Sequence, residues 1–305
     1  MGQESPLFSI IIPTYDRPRQ LTACLAALAQ LDYPRNCFEV IVADDGSDAP
    51  LETVIAPFRN QLEVTLLRQP HAGPAAARNT GAARAKGRFL AFTDDDCAPA
   101  PDWLQNLAAR FVTAADHVII GGRTLNALPN NLYSTASQLI VDVGCAYLNT
   151  DPNHARFFTA NNLALPADGF RALGGFDPTF VTAASEDREL CGRWVSRGYR
   201  MIYAPEVLVY HAHELTWRTF WRQHFNYGRG ALLLQQARAR YKWEHFRPDP
   251  RYYLTLLRYP FSQLCRQQAV LLSALLVVSQ SASMVGLVSE WIRQRREKND
   301  CPVNV

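Results

Sequence analysis

The sequence lacks the cysteine spacing of a zinc-binding module or a disulfide-stapled domain. Its seven cysteines are scattered along 305 residues, and no two of them form a CxxC pair. An odd number of cysteines cannot all pair within one chain, and stapled folds are short and dense in cysteine. Reduced thiols are therefore expected, and they are typical of a protein that works in the cytoplasm.

An excess of one charge is also lacking. The 31 Lys and Arg residues nearly balance the 28 Asp and Glu residues, which leaves a formal net charge of +3. A protein that binds nucleic acid through a broad basic surface would carry a much larger positive charge. We therefore expect no nucleic-acid partner, whereas a small anionic ligand is easy to accommodate.

Leader, repeat and linker patterns are missing as well. Residues 1–8 contain Glu4 and Pro6 but no basic segment followed by an apolar stretch, so no secretory signal is expected and the fold should begin near residue 1. With 48% hydrophobic residues, the chain can bury a sizeable core. The pattern favours one large domain over residues 1–240 and a separate helical tail over residues 241–305.

Short apolar runs alternate with helical patterns between residues 8 and 118. The runs cover residues 8–13, 38–43, 62–67 and 88–93, and each is rich in Val, Ile, Leu or Phe, as buried parallel strands are. This alternation predicts an α/β fold with a mostly parallel, nucleotide-binding sheet flanked by helices. Further along the chain, the pattern predicts a strand over residues 157–165 and helices over residues 186–197 and 217–240.

Polar and acidic residues follow these runs, at the strand ends where ligands of open parallel sheets bind. The sequence reads Pro-Thr-Tyr-Asp-Arg at 13–17, Asp-Asp-Gly-Ser at 44–47 and Asp-Asp-Asp at 94–96. Asp94 and Asp96 can both face one side of an extended segment, and Mg²⁺ or Mn²⁺ accepts carboxylate ligands readily. If the substrate carries a diphosphate leaving group, such an ion would neutralise the negative charge that develops as the diphosphate departs.

Each of these segments also has a plain structural interpretation. The triplet at 94–96 fits a solvated acidic turn, and residues 44–48 fit the cap of a following helix. Residues 73–79 open a helix of small residues, which allows either a close ligand with Arg78 near phosphate or simply tight packing. The sequence does not decide between these alternatives.

Taken in order, the motifs resemble the family 2 glycosyltransferases of the GT-A fold. The resemblance spans residues 8–230 and adds Gly-Gly-Phe-Asp at 174–177 and Glu-Asp at 186–187 to the motifs already described. It implies an inverting enzyme that transfers a sugar from a nucleoside diphosphate donor, by default a UDP-hexose, to a hydroxyl of a glycan or a lipid-linked acceptor. Mn²⁺ or Mg²⁺ is the implied cofactor.

The resemblance also implies a role for individual residues. Pro13, Thr14, Asp16, Arg17 and Asp45 would hold the nucleoside, with Asp45 on the base. Arg78 would lie near the base or diphosphate, Asp94 near the ribose with Asp95 beside it, and Asp96 on the metal. His211 is preferred over His213 as the second metal ligand, although a surface or capping histidine is the alternative. Asp187 would be the catalytic base and Glu186 its neighbour, while Asn161, Asn162 and Gly175 would line the donor sugar or acceptor.

One motif of the family is absent. Chain-extending members carry Gln-x-x-Arg-Trp about one helix beyond the catalytic carboxylate, and the stretch at 223–227 reads Gln-His-Phe-Asn-Tyr. Addition of a single sugar is therefore expected. Two other classes remain as hypotheses: a non-catalytic nucleotide-sugar-binding protein on the same fold, and a nucleotidyltransferase, whose usual Gly-rich loop with a lysine is not found at 13–17.

The tail contains an apolar segment at residues 269–288 with basic residues on both sides. Its length suits a membrane crossing, but five Ser and Gln residues weaken its hydrophobicity. Contact with the inner face of the cytoplasmic membrane is one interpretation, since a lipid-linked acceptor would lie there. A soluble amphipathic helix that packs on the domain or on a second copy is the other.

Overall fold

The computed structural model describes residues 7–114, 117–182, 184–243, 249–263 and 265–300. Glu4 and Pro6, which carry the expectation about the N-terminus, lie outside the described residues, as do residues 244–248 and 301–305 of the predicted tail. The chain forms two compact units. The sheet unit comprises Met1–Ala127, Leu148–Val181 and Asp187–His213, and the helical unit comprises Leu128–Tyr147, Thr182–Glu186 and Glu214–Val305.

Within the described residues, eight strands form one sheet in the order β3-β2-β1-β4-β7-β6-β8-β5. The pairs β1/β2, β1/β4, β2/β3 and β6/β8 are parallel, whereas β4/β7, β6/β7 and β5/β8 are antiparallel. The sheet is thus mixed but mostly parallel, as predicted. The strands are β1 Phe8–Thr14, β2 Phe38–Asp44, β3 Val64–Arg68, β4 Phe89–Phe92, β5 Cys97–Pro99, β6 Val118–Asn126, β7 Leu163–Pro166 and β8 Arg200–His211.

Helices cover the sheet because its central strands are apolar on both faces. All residues of β1, β2 and β4 are buried, and two separate hydrophobic clusters lie on the two sides of the sheet. A Cβ on Gly81 would lie 2.6 Å from Ile11 Cγ2, so small residues let their helix approach β1 closely. The helices of this unit are α1 Pro18–Leu28, α2 Glu52–Ile55, α3 Pro74–Arg84, α4 Trp103–Thr113, α6 Ala167–Leu173 and α7 Glu186–Ser196.

The predicted strand at 157–165 is wrong in its first half, because only Leu163–Pro166 joins the sheet. The side chain of Asn149 accepts hydrogen bonds from the backbone N–H groups of Arg156 and Phe157, and donates one to the carbonyl of Phe157. The chain then turns at Ala160–Asn162. These local bonds use the backbone groups that a strand would need for its ladder.

The helical unit consists of α5 Leu132–Leu148, α8 Trp217–Arg240, α9 Pro250–Gln263 and α10 Arg266–Asp300. Its core joins buried residues of α5 and α8 to Leu256 of α9 and to Leu272 and Leu276 of α10. The helix α8 begins and ends as predicted. The predicted boundary at residue 240 therefore falls inside a compact unit, at the end of α8.

Candidate active site

The carboxyl ends of β1 and β2 meet at one edge of the sheet, where Thr14 is the register partner of Asp44. Residues 94–96 follow β4, the other neighbour of β1. The sequence predicted an extended segment here, and that prediction is wrong. The backbone N–H of Cys97 donates to the carbonyl of Asp94, and this bond turns the chain into β5. Asp94 and Asp96 consequently bind different partners.

Arg17 joins the two buried carboxylates of this turn. Its Nη1 lies 3.0 Å from Asp95 Oδ1 and 2.8 Å from Asp96 Oδ2. Thr14 donates its hydroxyl to Asp95 Oδ2 at 2.7 Å. Thr14, Asp95 and Asp96 are buried, which excludes a merely solvated turn, while the Arg17 side chain is 43% exposed. Thr14 orients Asp95, and its contact with a nucleoside stays a prediction.

The two carboxylates differ in their electrostatics. Burial raises the pKa of Asp95 to about 6, although Arg17 and Thr14 act against the rise. Burial acts on Asp96 too, but His211 and Arg17 outweigh it and hold the pKa of that carboxyl well below its usual range. At neutral pH, Asp96 is therefore the firmly ionised member of the pair.

His211 lies beside Asp96 because β5 pairs with β8, with Cys97 as the register partner of His211. His211 Nε2 is 3.1 Å from Asp96 Oδ1. Burial lowers the pKa of His211, but the Asp96 carboxylate outweighs this and raises it overall. Burial lowers the pKa of His213 to about 4, and the positive charge of His211 adds to the effect; the two imidazole rings stack with their centroids 4.9 Å apart.

These residues fit a divalent metal ion. The donor atoms of Asp96, Cys97 and His211 lie within 4.8 Å of one another, and in the part of the chain that the structure describes Asp94 does not belong to this group. Burial raises the pKa of the Cys97 thiol well above its usual value, so the sulfur stays protonated. An oxygen from Asp96 and a nitrogen from His211 are donors that Mn²⁺ accepts. For binding, His211 must lose a proton and Arg17 must share Asp96.

Both carboxylate oxygens of Asp45 already have partners within the protein. Its Oδ1 accepts hydrogen bonds from Gln69 Nε2 at 2.7 Å and from the N–H of Ala72 at 2.9 Å. Its Oδ2 accepts one from the N–H of Gly73 at 2.8 Å and lies 2.9 Å from His71 Nδ1. The carboxylate thus shapes the loop before α3. A base could bind here by exchange with the imidazole of His71, whose side chain is 54% exposed.

Neighbouring residues complete this part of the rim. The ring of Tyr15 lies 4.3 Å from that of His71. Asp16 adopts a left-handed φ of 52°, and its carboxylate accepts the N–H of Asp48 at 2.7 Å. Asp44 accepts the N–H of Ser47, while α2 starts only at Glu52, so the acidic motif closes a turn rather than capping a helix.

Arg78 and Asn79, at the start of α3, connect the rim to the Gly-Gly-Phe-Asp motif. Arg78 is buried and donates to Asp94 Oδ1 at 2.6 Å, and its guanidinium lies 5.5 Å from the centre of the Phe176 ring. The Asn79 amide bonds both the N–H and the carbonyl of Phe176, at 2.9 and 2.8 Å. Gly175 has a left-handed φ of 73°, and a Cβ on it would lie 2.5 Å from Asn79 Oδ1, so a glycine is required there.

A buried ion pair on α7 holds the same turn from the other side. Arg193 donates to the carbonyls of Leu173 at 2.8 Å and of Gly175 at 2.6 Å. It also makes a bidentate pair with Glu189, which is fully buried. Sequence reasoning missed both residues, although an acid and a base four positions apart on a predicted helix are a recognisable signal.

Asp187 and Glu186 stand in the first turn of α7. Glu186 is buried, and Asp187 is half-buried with its Oδ1 2.7 Å from the N–H of Arg188. Ser185, just before them, has a left-handed φ of 73°, a strained conformation that often marks functional sites. Through Arg193, Gly175 and Asn79, this helix is linked to Arg78 and so to Asp94.

The two asparagines differ in what they contact. Asn162 donates to the carbonyls of Arg123 and Val207 and accepts from the Trp103 indole, so its side chain is committed to packing. Asn161 accepts hydrogen bonds from the hydroxyls of Thr124 and Thr159. Pro13 lies within β1, buried and paired with Ala43 of β2. Direct ligand contacts by these three residues stay predictions.

The sheet order and the acidic rim define a GT-A type fold. The model of the family described as glycosyl transferase family 2 matches residues 9–178. The chain belongs to this family and is a glycosyltransferase, which confirms the resemblance seen in the motifs.

Two curated relatives show the range of the similarity. The chain is 27% identical over 214 residues to the glycosyltransferase AglE of Haloferax volcanii, a match that covers 69% of this chain and 68% of AglE. It is 29% identical over 228 residues to validoxylamine A glucosyltransferase of Streptomyces hygroscopicus subsp. jinggangensis, which covers 66% of this chain but only 54% of that protein. The match therefore spans only about half of the Streptomyces protein.

A solved structure shows the fold. The mannosyltransferase PcManGT of Pyrobaculum calidifontis, solved in complex with GDP-Man and Mn²⁺, superimposes with a TM-score of 0.66. It is 19% identical, and the superposition covers 94% of this chain and 87% of that chain. At this identity, the likeness concerns the fold alone.

Proposed function

We propose that the protein is an inverting glycosyltransferase that moves a single sugar from a nucleoside diphosphate sugar to a hydroxyl of a glycan or a lipid-linked acceptor. One observation carries the proposal. A chain of partly buried contacts runs from Asp94 through Arg78 and Asn79 to the turn at residues 175–176, and from the Gly175 carbonyl to Arg193 of α7, the helix that begins with Glu186 and Asp187. These contacts support the proposal because they connect the segments that would bind the donor with the helix that would supply the catalytic carboxylate.

The donor would lie on the rim formed by the strand ends. Arg17 and Arg78 would supply positive charge for a diphosphate. Asp94, whose side chain is partly exposed, would accept a hydrogen bond from a ribose hydroxyl, with Asp95 beside it. We expect a nucleobase to bind in place of the His71 ring, which contacts Tyr15 and Asp45. An N–H of the base would then replace that of the imidazole on the Asp45 carboxylate. A UDP-hexose is the default donor; the mannosyltransferase of similar fold was solved with GDP-Man.

Asp96 and His211 would hold Mn²⁺ or Mg²⁺. The bound ion would neutralise negative charge on the leaving diphosphate. Arg17, which already contacts Asp95 and Asp96, would remain beside the phosphates as a second, permanent cation. Because Asp96 stays ionised across the physiological range, the metal site needs no change in the protonation of its carboxylate.

Asp187 would take the proton of the acceptor hydroxyl. As that oxygen bonds to the anomeric carbon, the bond from the carbon to the diphosphate oxygen breaks on the opposite face, so the configuration inverts. The nucleoside diphosphate leaves with the bonding electrons. Glu186, buried beside Asp187, would orient the start of the helix.

The acceptor is proposed to take one sugar only. Gln223, the first residue of the incomplete chain-extension motif, bonds Ser137 Oγ at 2.9 Å and Tyr227 Oη at 2.7 Å inside the helical unit. These contacts use its amide nitrogen for packing between α5 and α8. We further propose that the enzyme works at the inner face of the cytoplasmic membrane, where it would meet a lipid-linked acceptor.

The proposal is tested with Asp187→Asn. The variant should keep its affinity for the donor, measured by calorimetry with a panel of nucleoside diphosphate sugars with and without Mn²⁺, because its rim is unchanged. Transfer should fall by roughly 10²- to 10⁴-fold, since loss of a general base commonly costs that much. The readout is release of the nucleoside diphosphate in the presence of candidate acceptors.

Asp168→Asn is the matched control, because Asp168 is an exposed acid in the first turn of α6. It alters the charge at a helix N-terminus without touching the rim, and transfer should be unchanged. Full turnover by Asp187→Asn would remove this residue from the mechanism. A protein that binds donors but never releases diphosphate would instead be a nucleotide-sugar-binding protein.

A further inference from the structure

The helix α10 has two unlike faces. One face carries buried residues of the helical unit, among them Leu272, Leu276 and Ala282. The other is apolar and exposed, with Val270, Val277, Met284 and Trp291 at every seventh position, each 43 to 62% exposed. Val285 and Val288 lie beside them and are also exposed. We call these six residues the apolar stripe; from Val270 to Trp291 it runs about 32 Å, at about 1.5 Å per residue.

The opposite face is fixed to α8 along much of its length. A Cβ on Gly286 would lie 1.9 Å from the carbonyl oxygen of Phe225, and one on Gly228 would lie 1.8 Å from that of Ser283. The backbones of the two helices therefore touch, which only glycine permits. Near the C-terminal end, Arg229 of α8 pairs with the buried Glu290 at 2.9 Å.

This attachment decides between crossing a membrane and lying on it. By length and composition, Arg266–Glu297 could cross a membrane, and 28% of its apolar 18-residue stretch is buried within the protein. If α10 crossed a membrane, α8 would have to enter the hydrocarbon core with it. The Arg229–Glu290 pair and the exposed Arg222 would then lie in that core. Charged side chains in the hydrocarbon core are costly, so a helix held in this way is suited to lie in the interface with one face inserted.

The charges at the ends of the stripe indicate what covers it. Arg266 precedes it, and Arg293, Arg295 and Arg296 follow it, all exposed. Among the side chains that the structure describes, the acids nearest to the C-terminal cluster are already paired: Glu290 with Arg229 and Arg293, and Glu297 with Arg293. Anionic lipid headgroups complement such flanks. A second copy does not, because parallel stripes would bring Arg295 against Arg295 and antiparallel ones would bring Arg266 against the Arg295–Arg296 end.

We propose that the apolar stripe of α10 is a membrane-docking surface that inserts in the plane of an anionic bilayer, with the arginines at its ends on the headgroups. The docking surface gives a physical basis for the proposed action at the inner membrane face. Only the purpose of docking rests on that proposed function. The surface would bring the enzyme to a lipid-linked acceptor, so that the acceptor is found by diffusion in two dimensions.

The test uses the full-length protein and vesicles of phosphatidylcholine with or without phosphatidylglycerol, in the absence of donor and acceptor. The protein should float with anionic vesicles at low salt, bind neutral vesicles at least about tenfold more weakly, and be released by alkaline carbonate. Val277→Asp with Met284→Asp should lower binding to anionic vesicles at least about tenfold, since both aspartates would face lipid. Arg295→Gln with Arg296→Gln should weaken the preference for anionic lipid.

Val112→Asp is the matched control, because Val112 is 85% exposed on α4, outside the stripe, and its replacement should leave binding unchanged. Circular dichroism checks that each variant folds. No binding to anionic vesicles would overturn the proposal, as would resistance to carbonate, which marks a spanning helix. A dimer in light scattering that Val277→Asp with Met284→Asp dissociates would assign the stripe to a second copy. None of these results bears on transfer to a soluble acceptor, which is measured separately.

Discussion

At the scale of single residues, the site depends on how neighbouring groups share charge. Asp96 faces both His211 and Arg17, and the ring of His213 stacks on that of His211. The pKa of His211 is raised and that of His213 is lowered to about 4, so the two imidazoles are chemically distinct. His211, whose Nε2 lies 3.1 Å from Asp96 Oδ1, stays the predicted ligand, with His213 as its neighbour.

We expect His211→Ala to abolish most Mn²⁺ binding and His213→Ala to weaken it only slightly. His211 supplies a nitrogen close to Asp96, and its loss removes one of two strong protein donors; loss of such a ligand should cost at least about tenfold in affinity. Titration of Mn²⁺ followed by electron paramagnetic resonance measures this without catalysis. The reverse order of effects would transfer the ligand role to His213.

At the scale of elements, the turn at residues 174–176 is held by two helices. Asn79 of α3 bonds Phe176, and Arg193 of α7 bonds the carbonyls of Leu173 and Gly175. Glu189 is fully buried and is balanced by Arg193. Both α3 and α7, the helix of Asp187, are therefore bonded to the same turn.

Arg193→Met should destabilise the protein by about 3–5 kcal/mol, because it leaves the buried Glu189 without its counter-charge. The double variant Glu189→Leu with Arg193→Leu removes both charges and should recover much of that loss. It should still lower kcat, since the carbonyls of Leu173 and Gly175 lose their donor and the turn is no longer held. Thermal unfolding and transfer kinetics measure the two effects. If the double variant kept full kcat, the bonds from Arg193 to the turn would contribute to stability but not to catalysis.

At the scale of the whole molecule, the chain forms two units that are each assembled from separate segments. The helical unit takes α5 from the middle of the chain and α8, α9 and α10 from its last third. Its core includes Phe220 of α8 together with Leu272 of α10. A boundary drawn at residue 240 separates residues that pack against each other.

A chain truncated after residue 240 should therefore aggregate or unfold at a lower temperature, because α5 and α8 would expose the surface that α9 and α10 cover. Truncation after residue 297 is the matched control, since it keeps that core intact. Solubility and thermal unfolding provide the measurements. A soluble, stable 1–240 fragment with full donor affinity would instead support the boundary at 240.

Much of the fold is readable from local patterns. The apolar runs at 8–13, 38–43 and 88–93 lie in β1, β2 and β4, because a strand buried on both faces must be apolar along its length. The helix α8 follows its predicted bounds, with a capping box at Thr216. The half-wrong strand at 157–165 shows the limit, since Asn149 intervenes from outside the segment.

The order of the motifs along the chain was sufficient to indicate the family, the acidic rim and the candidate residues, since each motif is a property of adjacent residues. Tertiary structure alone shows that Cys97 is the register partner of His211, which brings His211 to Asp96, and that Asp45 is saturated by the loop before α3. It also shows that Arg193 donates a hydrogen bond to the carbonyl of Gly175, and that one face of α10 is exposed. The reason is physical: which partner a side chain meets depends on strand pairing and helix packing between segments far apart in the chain, and no local pattern encodes that distance.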